Sequence, residues 1–180
     1  MINKLIWILL LLPLPTMAIA QCDHASWHAN LTQFNRLESN YNQHATLFNE
    51  RLKEHNEHQL FSQTFSMDEL VILWQTPSNQ VSLKKQLVKS KKQQQEFVKM
   101  WRSINALIED SQNIAKKWKQ VVFFCQQKGS KANEISAHWY LTNTLEILEE
   151  YRILARKYLT LANRHGWEVK VINYITNVSN

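Results

Sequence analysis

From Trp27 onward the apolar residues fall three and four apart: Trp27, Leu31, Phe34, Tyr41, Ala45, Phe48 and Leu52, with Glu38 in the one polar slot. That spacing returns to the same side of an α-helix on every turn, and it predicts one amphipathic helix over about residues 25 to 57. A longer series runs Leu83, Leu87, Phe97, Trp101, Ile104, Ile108, Ala115, Trp118, Val122 and Cys125. With Ser90, Gln94 and Ser111 in its empty slots the three-four alternation never breaks, which is coiled-coil-like periodicity. Gly129 follows at the position of a helix C-cap. A third helix is expected from about Lys131 to His165, with Leu141, Leu145, Leu148, Tyr151, Ala155, Tyr158 and Ala162 inward and Gly166 ending it.

The connections read differently. Residues 56 to 65 are polar, with scattered Leu60, Phe61 and Phe65. Ser66 and Glu69 then form a capping-box pattern ahead of Leu70-Val71-Ile72-Leu73-Trp74, a short helix stopped by Pro77. In residues 167 to 180, Val169, Val171, Tyr174 and Ile175 make a mixed pattern that fits a short helix or a strand.

Residues 1 to 20 carry Lys4, the apolar run Leu5 to Leu12, and Ala18-Ile19-Ala20, the parts of a cleavable secretory signal with its cut after Ala20. Eight apolar residues ahead of Pro13 fall far short of the ~20 that span a bilayer. The expectation is an exported protein, periplasmic or secreted and not integral to the membrane, with residues 21 to 180 as a single domain. In an oxidising compartment the only two cysteines, Cys22 and Cys125, are expected to pair. Their pairing sets the start of the first helix beside the end of the central one, and the short turn at Gly129 reverses the chain again. The expected fold is therefore all-α: an antiparallel three-helix bundle with long helices, a short extra helix and a C-terminal tail. The central helix is the longest, and its surplus, near residues 80 to 95, is expected to overhang or to kink.

Composition narrows the chemistry. Two glycines and three prolines in 180 residues leave no Gly-rich phosphate loop, no Gly-x-Ser-x-Gly elbow and too few breakers for a β-sandwich. His24 with His28, and His55 with His58, have helical spacings that suit metal ligation, yet no four-ligand set is visible and both pairs read as surface histidines. Glu109-Asp110 and Glu149-Glu150 read as solvated helix faces, and Trp27, Trp101, Trp118, Tyr151 and Tyr158 as core. A haem slot at His138 or Met100 is not favoured. No catalytic residue, metal or cofactor is expected.

Charge carries the functional signal. The chain has 21 Lys and Arg against 15 Asp and Glu, a net charge of +6, and residues 80 to 131 alone hold 12 of the basic and 3 of the acidic ones. Lys85, Lys89, Lys92 and Lys99 recur at helical spacing, with Lys84, Lys91 and Arg102 beside them, as a basic stripe. Leu70 to Trp74 presents apolar side chains on several faces at once, so these residues either cap the core or wait for a partner. The expected function is a non-enzymatic protein that binds another envelope or secreted protein, an acidic one among the candidates, as adaptor, chaperone or inhibitor. Leu70, Leu73, Trp74, Lys85, Lys89, Lys92 and Trp167 are its candidate contacts. The alternative is a binder of an anionic polymer or of lipid head groups through the stripe; nucleic acid is not the expected partner.

Overall fold

The computed structural model describes residues 22 to 178, and those residues are almost entirely helical with no strand among them. The expected signal at residues 1 to 20 lies outside the described residues. Five helices follow one another: α1 (His24–Asn56), α2 (Phe61–Thr64), α3 (Met67–Trp74), α4 (Pro77–Gln127) and α5 (Lys131–Val178).

Local chemistry sets the helix ends. Asp23 caps α1 by accepting the Ser26 N–H at 2.8 Å, a bond that holds its carboxyl below the usual carboxylate range. Ser66 and Glu69 complete the capping box of α3: the Ser66 hydroxyl accepts from the Glu69 N–H, and the Glu69 carboxylate accepts from the Ser66 N–H at 2.8 Å. Pro77 both ends α3 and opens α4, where its missing N–H has no helical partner to lose, so α4 begins ahead of the apolar series. Gly129, at φ +67°, closes α4 in a Schellman turn in which the Ser130 N–H donates to the Cys125 carbonyl.

Packing follows a seven-residue register. On α4 the positions Leu83, Ser90, Phe97, Ile104, Ser111, Trp118 and Cys125 are all buried. On α5 the same holds for Ala137, Thr144, Tyr151, Tyr158, His165 and Ile172. Small members of the two helices let α4 and α5 approach closely along their length. The buried hydroxyls of Ser111 and Thr144 donate to the carbonyls of Leu107 and Tyr140 one turn back, so neither is left unsatisfied. α1 stands further off and meets its neighbours through aromatic rings spaced by seven. Trp27 packs edge-on against Trp118, Phe34 against Tyr140, Tyr41 against Tyr151 and Phe48 against Tyr158. The order of these pairs runs α1 alongside α5 and opposite to α4, and the Cys22–Cys125 disulfide ties the start of α1 to the end of α4.

Three expectations are corrected. Gly166 does not end the third helix and there is no separate C-terminal tail: α5 continues through Trp167 to Val178. At Gly166 the side-chain amide of Gln94 from α4 fills the space beside the helix, its nitrogen 2.7 Å from where a Cβ would stand. The continued α5 lies against the N-terminal part of α4, so residues 80 to 95 do not overhang. Leu145 is exposed, and the register puts Thr144 inside in its place.

Candidate functional site

Where α3, the start of α4 and the end of α5 meet, a second core cluster forms from Leu70, Trp74, Leu83, Val171, Ile172 and Ile175. Leu70 and Trp74 are 0% and 4% exposed, so these two candidate contacts close the core and do not face a partner; Leu73 is half-buried at its edge. The apolar girth of α3 is used up on one side by this cluster and continues outward on the other.

That outer side, with α5, frames a groove of about 610 Å³ lined by Met67, Val71, Trp167, Val171, Tyr174 and Val178. Asp68 and Lys170 are its charged lining residues. Trp167 and Tyr174, both large aromatics, remain 58% and 55% exposed. Lys85 and Lys92 are exposed and Lys89 half-buried on a different face, along α4. Lys84 stands 5.5 Å above the Trp74 ring. The structure therefore brings Trp167 to a groove, leaves the lysines on their own face, and withdraws Leu70 and Trp74 from both.

Two buried polar groups lie beneath this end. His55 is not a surface residue: its Nδ1 is 3.1 Å from Nε2 of His165, whose Nδ1 is 3.4 Å from the Ser90 hydroxyl. The extended register identifies all three, since His55 lies seven residues beyond Phe48, His165 seven beyond Tyr158, and Ser90 seven beyond Leu83. A serine beside a histidine suggests a nucleophile and its base, but Ser90 has no exposed surface and sits between packed helices, where no substrate reaches it. Burial, then His55 and Lys89, depress His165 to about 4; burial, then Arg164, lower His55. Both rings are neutral at pH 7.

The folded protein thus disfavours the proton on His165 relative to the unfolded chain. The associated stability, about 3 kcal/mol, is complete above pH ~6.5 and drains away as the pH falls towards ~4. Urea midpoints recorded at successive pH values should decline over that window, and the His165→Leu variant, less stable at neutral pH, should show a much flatter decline. An identical slope in the variant would remove His165 as the cause.

The second group is Glu168, fully buried, whose two carboxylate oxygens accept the N–H groups of Phe61 and Ser62 at 2.9 and 2.8 Å. It occupies the α5 register of Leu161 and Ile175, where an apolar residue is the rule. In that place it pins the first turn of α2 to α5.

Elsewhere the expected surface groups are ordinary. His24 and His28 stack with ring centroids 6.5 Å apart, and among the described residues no three His, Cys, Asp or Glu gather as metal ligands. His58 and His138 are exposed. Glu149 engages Arg152 and Arg156, and Glu150 accepts from the Tyr41 hydroxyl at 2.9 Å. No helix among the described residues is long and apolar enough to cross a membrane.

Comparison with protein-family models, curated proteins and solved structures found no match.

Proposed function

We propose that this is an exported, non-enzymatic protein that acts in the cell envelope, in the periplasm or outside the cell, by holding another protein as an adaptor, chaperone or inhibitor. Its scaffold is read as an antiparallel three-helix bundle stapled at one end by the Cys22–Cys125 disulfide and open for contact at the other. The observation that carries the reading is the groove between α3 and α5, where Trp167 and Tyr174 stay exposed over an apolar floor. Aromatic side chains of that kind supply large contact area at low entropic cost, and they are the usual anchors of protein interfaces. The groove is apolar with one acidic and one basic residue in its lining, which suits an amphipathic helix laid along it.

A photo-crosslinking amino acid placed at Tyr174, and a control at Lys116 on an exposed face of α4, test the reading in the native envelope. One discrete protein adduct at Tyr174 and none at Lys116 is the expected outcome. Equal adducts at the two positions, or none at Tyr174, would discard the groove as the contact.

A further inference from the structure

The α4 face that carries Val81, Lys84, Lys85, Val88, Lys89 and Lys92 forms a shallow depression of about 590 Å³ and shares no lining residue with the groove. Positions 81, 85, 88 and 92 follow at four, three and four, so they share one side of the helix. Its valines are exposed, Val81 by 53% and Val88 by 68%, in the middle of the lysines. From Pro77 to Gln95 the chain has five lysines and no acidic residue. The ion pairs among the described residues are Arg51 with Glu54, Lys131 with Glu134, and Arg152 and Arg156 with Glu149, so none of these lysines is held in an ion pair. The opposite side of the same turns is fixed by the buried Leu83, Ser90 and Phe97, which keeps the lysines on a rigid platform.

We infer that this face docks the protein on an anionic lipid surface, with the lysines against head-group phosphates and Val81 and Val88 entering the interface. The inference goes beyond the protein contact at the groove and does not depend on it. Uncompensated positive charge calls for an anionic partner, and three further features select lipid. Every cation on the face is a lysine, a point charge that meets phosphates from any direction and lacks the planar fork used to recognise one fixed carboxylate. The valines sit where a soluble polyanion has nothing apolar to offer, whereas a bilayer interface accepts them while the lysine stems reach outward. Residues 81 to 92 extend over roughly 17 Å of open helix, a shape for lying on a surface.

The test sediments the oxidised chain from Gln21 onward, which contains every described residue, with vesicles of phosphatidylglycerol and phosphatidylcholine in equal parts and with phosphatidylcholine alone. Binding to the anionic vesicles only, weakening with salt, is expected. Combining Lys85→Gln and Lys92→Gln should lower the partition coefficient about thirty-fold without changing the melting transition. Val88→Ser, which leaves the charge intact, should lower it several-fold. Trp167→Asp should leave it unchanged, which separates this face from the groove. Failure to bind anionic vesicles, equal binding to both kinds, or retention by the lysine variant would overturn the inference. Binding to soluble polyglutamate in place of vesicles, insensitive to Val88→Ser, would assign the face to an acidic protein instead.

Discussion

Reduction of the Cys22–Cys125 disulfide should lower the free energy of unfolding by about 4 to 5 kcal/mol, the largest single effect expected in this protein. The bond closes a loop with a sequence separation of 103, so in the chain-entropy account its main action is to restrict the unfolded chain. The reduced protein should remain helical, because the ring pairs from Trp27 to Phe48 hold α1 in place without it. Urea unfolding followed by circular dichroism, with and without reductant, should show a lower midpoint and a steeper dependence on urea, since the uncrosslinked chain exposes more surface. A midpoint that reduction leaves in place would mean that the native fold stores as much strain in the bridge as the loop closure contributes.

The second large effect is expected at Glu168, and its direction runs against the register. Leucine at that position would complete the apolar series of Leu161 and Ile175, and replacing a buried charge by an apolar residue often stabilises a protein. Here the carboxylate's partners are backbone N–H groups that no substitution removes. Glu168→Leu would leave the half-buried Phe61 and Ser62 N–H donors without their acceptors and should cost about 3 kcal/mol. Glu168→Gln keeps one acceptor for two donors and should cost roughly 2 kcal/mol. Hydrogen exchange should quicken most in α2, whose first turn the carboxylate holds to α5. A leucine variant as stable as the parent would show that the α2 turn finds its hydrogen bonds elsewhere.

The sequence by itself determined the helical class, the three long amphipathic segments, the capping box at Ser66 and Glu69, the stop at Gly129 and the pairing of the two cysteines. Each of these follows from local spacing, from a cap, or from there being one possible partner. The seven-residue register was also present in the sequence: it already counted Ser90 among the slots of the central helix, and carried one step further it reaches His55 and His165. Polar residues at those positions interrupted the apolar count, so composition alone assigned the histidine to the surface. Only the tertiary structure decided what Gly166 does, because a glycine ends a helix or admits a neighbour equally well until Gln94 is seen beside it. The same is true of Leu70 and Trp74 against Trp167. All are large and apolar near one end of the molecule, and which of them is buried depends on the path of α5 beyond Gly166. Glu168 shows the reason most plainly: its partners are backbone groups more than a hundred residues away, and a bond to distant backbone leaves no spacing in the sequence to read.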